Sequence, residues 1–193
     1  MGNQVFPTLK ELPVPLNQAQ CVLHEHELLI CGGDQQDCYS YHTLKNEYKF
    51  ICKYPFYTGL YGHCVVKLVD NNNKQSNQIT LLSFGGGTSE NKHALVMKYV
   101  SVWSDISDVS NNSMKSNKSK KFKKYNTWIP FTDNHHNQIN IGRDDDNYIG
   151  MRAVIGGVNN DLLFITYYKN NIIRKWTRTR NDENKSTKLS NAV

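Results

Sequence analysis

The stretch Thr80-Leu81-Leu82-Ser83-Phe84-Gly85-Gly86 decides how this chain is read. It is a short, continuous apolar run that stops at a glycine pair, the pattern of a buried strand ending in a turn. A close copy stands upstream as Leu28-Leu29-Ile30-Cys31-Gly32-Gly33. Each copy follows another short apolar segment and a polar link. Cys21-Val22-Leu23 and His24-Glu25-His26-Glu27 precede the first; Cys64-Val65-Val66 and a loop of Asn, Lys and Gln precede the second. A third unit runs Ala153-Val154-Ile155, turns through residues 156–161, and continues Leu162-Leu163-Phe164-Ile165, with Thr166-Tyr167 where the diglycine is expected. Gly32 and Gly85 are 53 positions apart, a spacing that suits propeller blades and not helical solenoids.

The other apolar segments (48–52, 95–103, 125–131) are equally short and rich in β-branched and aromatic residues. Turn-formers bound them, and no eleven-residue window carries an i, i+3, i+4, i+7 stripe. The expected fold class is therefore all-β and antiparallel.

An aromatic strand follows each diglycine, Tyr39-Ser40-Tyr41 in the first unit and residues 97–103, with Tyr99, in the second. A further aromatic then precedes a proline: Tyr48 or Phe50 before Pro55, and Trp128 before Pro130. This pattern resembles the kelch repeat, on Gly32, Gly33 and Tyr41 in the first unit and on Gly85, Gly86, Tyr99 and Trp128 in the second. The likeness runs from about residue 6 to 168, with the third unit eroded. It implies an antiparallel β-propeller of the superfamily that includes galactose oxidase-like propellers, with those seven residues in structural roles. Complete propellers have about 4–8 blades. At about 50 residues per kelch unit, the expected count is about three blades, a partial or truncated propeller. Its open blade edges are a route to self-association. The propeller segment is expected over 1–176, with residues 5–16 resembling the closing strand of a preceding blade. A Lys/Ser/Asn-rich disordered insertion is expected at about 104–124, and a disordered, polar basic tail at 177–193.

Charge divides along the same lines. The 193 residues carry a net +6. Residues 1–100 hold eight lysines and eight acids, so the whole surplus lies in 101–193, with fifteen basic and nine acidic side chains. It concentrates in 115–124 and beyond residue 168, segments too polar to bury a core. A basic run beside Phe122 and Tyr125 could touch phosphates, but a solvated insertion accounts for it, so nucleic acid or an anionic surface is the lesser alternative. Mean hydropathy is −0.61 and no apolar run approaches 18 residues, so no membrane span is expected. The opening Met1–Pro13 region lacks a basic-then-apolar leader, which suggests a cytoplasmic chain with reduced thiols.

Catalytic and metal motifs are not found. Gly85-Gly86-Gly87 leads back into a strand and matches no phosphate loop. His24 and His26, like His135 and His136, lack the further ligands at set spacing that zinc needs. Asp144, Asp145 and Asp146 lack the spacing of a calcium loop. Cys21, Cys31 and Cys64 read as small buried hydrophobes, and no cysteine or serine sits in a nucleophile context. The copper-oxidase branch of kelch-type propellers depends on Tyr, His and Cys ligands that cannot be placed here. The resemblance therefore implies a non-enzymatic protein-interaction or scaffold module with protein partners and no cofactor. A propeller enzyme with an axial site is the alternative.

Overall fold

The computed structural model describes residues 9–69, 78–87, 92–104, 125–133, 135–141, 147–158, 160 and 162–167, and the backbone of 174–180 and 187–191. Among these, twelve strands form three four-stranded antiparallel sheets, each a meander. Sheet I holds β1 (Gln20–His24), β2 (Glu27–Cys31), β3 (Asp37–His42) and β4 (Glu47–Lys53). Sheet II holds β5 (Cys64–Leu68), β6 (Gln78–Gly85), β7 (His93–Val100) and β8 (Ile129–Pro130). Sheet III holds β9 (Arg152–Gly156), β10 (Leu162–Thr166), β11 (Arg174–Arg180) and β12 (Thr187–Asn191). The all-β, antiparallel expectation is met. No helix among the described residues is long and apolar enough to cross a membrane.

The first strands lie side by side: β1 packs near β5, and β5 near β9. Sheet II is therefore covered on both faces, which explains why β6 is apolar without alternation. Ile79 and Leu81 enter a cluster shared with sheet I, while Leu82 and Phe84 enter one shared with sheet III. Burying each such side chain contributes about 1.5–3 kcal/mol. Short β8 forms the outer edge of its sheet, where Pro130 costs no ladder bond.

Register gives the repeat a geometric meaning. Gln20 pairs with Cys31, Cys64 with Phe84 and Arg152 with Thr166, so these pairs are equivalent. Two residues before each first strand the chain adopts positive φ, at Gln18 (61°), Gly62 (63°) and Gly150 (70°). The second glycine of each pair touches the segment leading into its own sheet. A Cβ on Gly33 would lie 2.3 Å from the Asn17 carbonyl oxygen, and one on Gly86 2.0 Å from that of Gly59. The first glycine touches the link into the next sheet, Gly32 against His63 and Leu60, and Gly85 against Met151 and Tyr148.

Several boundaries differ from the sequence expectation. The third unit aligns one residue away, so Tyr167, not Thr166, stands where the first glycine stood; its ring meets Tyr148 edge-on at 4.8 Å. Tyr41 and Tyr99 are not equivalent. The diglycine register places Tyr41 level with Met97, and Tyr99 lies two residues beyond. The same register makes Tyr48, not Phe50, the counterpart of Trp128. Residues 9–16 form no strand, because Pro13 and Pro15 lack the N–H a ladder requires. They lie along sheet I instead, with Tyr48 Oη donating to the Lys10 carbonyl at 3.0 Å. At the other end β11 crosses the boundary drawn at 176, and β12 falls in the segment read as a tail. Trp176, Thr177 and Thr179 supply strand propensity that the flanking charge obscured. The basic insertion, apart from Ser104, lies outside the described residues.

Replacing Gly86 by Ala combines positive φ with a backbone collision, and each of strain and overpacking costs about 1–3 kcal/mol. Gly150→Ala meets nothing within 4 Å and bears only the conformational cost of about 1–2 kcal/mol. Urea denaturation should rank G86A well below G150A; equal midpoints would contradict the close approach at Gly59.

Candidate functional site

Antiparallel order assigns every loop to one of two rims. One rim carries the β1–β2 and β3–β4 turns and the ends of sheet II at Leu68, Gln78 and Val100. The other carries the glycine pairs and the links between sheets. On this second rim, residues 54–63 connect β4 to β5, and the link faces both ways. Tyr54, Leu60 and His63 point inward and are buried, whereas Phe56, Tyr57 and Tyr61 are 80%, 93% and 63% exposed.

Hydrogen bonds hold the link from several sides. Gln36 Nε2 donates to the carbonyls of Phe56 at 3.2 Å and Thr58 at 3.3 Å. The Gly62 amide donates to Gln18 Oε1 at 3.0 Å, and the Gly150 amide to the Gly62 carbonyl at 3.1 Å. From below, a polar chain closes on Gly59. Tyr54 Oη donates to Ser83 Oγ (3.0 Å), Ser83 Oγ meets His93 Nε2 (2.7 Å), and His93 Nδ1 meets the Gly59 carbonyl (2.9 Å). One proton arrangement satisfies all of these: Nδ1–H donates to Gly59 and Nε2 accepts from Ser83. Tyr54 also stacks on Trp128, with ring centroids 4.7 Å apart.

This chain has the members of a serine–histidine pair, but Ser83 is fully buried and its hydroxyl is committed at both ends. Its work is to hold the link. Burial lowers the His93 pKa to about 4, with the nearby His63 adding to the effect and the Gly59 carbonyl opposing it. Burial likewise lowers His63, whose Nδ1 meets the Leu60 carbonyl at 2.8 Å while Nε2 has no hydrogen-bond partner. Burial raises Tyr54 well above the ordinary phenol value.

A second polar cluster fastens the opposite end of the seam between sheets I and II. The buried Glu27 carboxylate accepts from Ser40 Oγ at 2.6 Å and from Tyr99 Oη. Trp103 Nε1 donates to Ser40 Oγ at 2.9 Å. Tyr99 and Trp128, expected as motif residues, thus tie sheet II to sheet I, and Trp128 Nε1 donates to Cys38 Sγ at 3.4 Å. Tyr41 stays within sheet I, its ring tilted against that of Tyr48 at 4.8 Å.

The remaining sequence candidates scatter. His24 and Glu27, read from the sequence as ends of a polar link, lie in strands and are buried; only Glu25 and His26 make the turn. Cys21 faces outward on β1, because Val22 takes the inward position; Cys31 and Cys64 are buried as expected. His135 and His136 sit in a turn closed by Asp133, whose Oδ1 accepts the His135 and Asn137 amides. Asp144, Asp145 and Asp146 lie outside the described residues. Among the described residues no three His, Cys, Asp or Glu side chains are placed to hold a metal ion. His63, His93 and Tyr54 are not among the sequence candidates; for His63 the available signal was the turn Tyr61-Gly62-His63 directly before an apolar strand.

No protein-family model matches the chain, and no curated protein matches it in sequence.

Because His93 is depressed in the fold, its neutral form stabilises the protein above pH 6.5, and stability falls as pH drops from there toward 4. The loss is about 1.4 kcal/mol per unit, or about 2 kcal/mol by pH 5. Urea melts at pH 7 and pH 5 should therefore differ less in His93→Gln than in the native chain. An unchanged difference would place His93 outside the buried chain of hydrogen bonds.

Proposed function

We propose that the chain is a protein-interaction module of the kelch-repeat type, a non-enzymatic scaffold whose three sheets are blades of a partial β-propeller. The observation that carries this reading is the 54–63 link. It displays Phe56, Tyr57 and Tyr61 from a backbone pinned on both sides. Large exposed aromatics are the side chains that most often dominate protein interfaces, and a loop already held in place loses little entropy on binding. The propeller reading is supported by three equal meanders with neighbouring first strands and by the repeated glycine contacts. A cytoplasmic setting suits the free cysteines.

Converting Phe56, Tyr57 and Tyr61 together to Ala leaves Tyr54, Leu60 and His63 in place, so the melting temperature should hold within a few degrees. Affinity capture with quantitative mass spectrometry should lose the proteins that the native chain enriches. Identical capture by both forms would refute the assignment of this rim as the binding face. Among the described residues sheets I and III each pack on sheet II alone, so light scattering should detect concentration-dependent self-association. A monomer at every concentration would count against an open array.

A further inference from the structure

Three thiols stand in a row across sheet I. Cys31 on β2 is directly opposite Cys38 on β3, and Cys38 is directly opposite Cys52 on β4. Cys31 and Cys38 are fully buried, while Cys52 is half-buried at the row's outer end. The two cross-strand pairs are not alike. The Gly32 amide donates to the Asp37 carbonyl, which makes Cys31 and Cys38 a non-hydrogen-bonded pair. Such pairs hold their Cα atoms about 4.5 Å apart with side chains close, inside the span of roughly 4.4–6.8 Å that a disulfide bridges. The Tyr54 amide donates to the Gln36 carbonyl. That makes Asp37 and Lys53 the non-hydrogen-bonded pair on the other side, so Cys38 and Cys52 take the wider, hydrogen-bonded position, next to a bulge beyond which Tyr39 pairs with Phe50. Cys52 also turns toward Met97 Sδ, 3.8 Å away.

We propose that Cys31 and Cys38 are a redox-active dithiol that hydrogen peroxide converts to a cross-strand disulfide. Cys38 is the attacking sulfur. Burial alone would raise its pKa, but hydrogen bonds outweigh it, the Cys31 thiol and the Trp128 indole N–H among the donors, and hold Cys38 below the ordinary thiol value. Its hydrogen bond to Cys38, reinforced by burial, raises Cys31 in turn, and as the close cross-strand partner of Cys38 it is the resolving thiol. Cys31 and Cys38 have no exposed surface, so peroxide has to enter from the outer end of the row, where Cys52 is half-buried. The Cys38 thiolate attacks one peroxide oxygen, the O–O bond breaks, and Cys38 sulfenic acid and hydroxide form. Cys31 sulfur then displaces the sulfenic oxygen, which leaves as water with the Cys31 proton. In sum the two sulfurs lose two electrons to peroxide, and a thiolate, a thiol and one peroxide give a disulfide, one water and one hydroxide. The Trp128 N–H loses its thiolate acceptor in this step.

The test is peroxide treatment of the folded chain, then alkylation of free thiols and mass mapping without reductant. Cleavage on the amino side of Asp34 and Asp37 separates the two cysteines. The expected product joins the Cys31 and Cys38 peptides, leaves three of the five cysteines alkylated, and reverts with dithiothreitol. Cys31→Ser and Cys38→Ser should each abolish the link. Cys52→Ser, which keeps both partners, should retain it. A link from Cys38 to Cys52, sulfinic acid at Cys38 with Cys31 still free, or five intact thiols in the folded chain at peroxide levels that oxidise the unfolded one would each overturn the proposal.

Discussion

Two backbone segments cannot share the space of one Cβ, and in this protein that constraint sits at the end of the second strand of sheets I and II. The chain entering each of these sheets passes over the second glycine of its own strand, leaving 2.3 Å at Gly33 and 2.0 Å at Gly86 for an atom that is not there. The chain leaving for the next sheet passes over the first glycine. One dipeptide therefore fixes two links at once, and with them the distance between neighbouring first strands. Positive φ at Gly32, Gly33, Gly85 and Gly86 is a second demand met by the same residue type.

Once the links are fixed, the polar groups beneath them have little freedom. His93 meets the Gly59 carbonyl because Gly59 is pressed against Gly86, and Tyr54 meets Ser83 because the link starts where β4 ends. The seam between sheets I and II is thus apolar in the middle and hydrogen-bonded at both ends, through Ser83 and His93 on one rim and Glu27, Ser40 and Tyr99 on the other. Each buried donor or acceptor there would cost about 1–3 kcal/mol if left unpaired, so the ends set the alignment of the two sheets more strictly than the apolar middle does.

What the sequence made legible follows from how local each signal is. Short β-branched runs and glycine pairs declare strands and turns through neighbours in the chain, so the all-β class and the period of the repeat could be read directly. Register is not local. A one-residue slip moves every side chain to the other face, which is why Cys21 was read as buried and the third unit was aligned one position off. Tyr41 and Tyr99 looked alike because both follow a diglycine on an aromatic strand, yet one packs within its own sheet and the other reaches the neighbouring one. The held link was illegible for a related reason: nothing in residues 54–63 marks which aromatics face inward until Gly59, His93 and Gln36 are seen together.

Sheet III tests the same logic by exception. The first glycine exists to let the next link pass, and among the described residues no link crosses β10 at that point. The position is free to carry a side chain, and Tyr167 fills it, resting on Tyr148 of the link that enters sheet III. The absence of glycine there fits what the residue does not have to clear, and the third unit and the first two obey one rule. The glycine contacts also bear on the thiol row, because the turn that begins at Gly32 and Gly33 sets the register of β2 on β3. With that turn in place, Cys31 and Cys38 fall on the close pair and Cys38 and Cys52 on the wide one. A slip of one residue at the diglycine would move Cys31 to the opposite face from Cys38, so the geometry that spaces the sheets is the same geometry that brings the two sulfurs within reach.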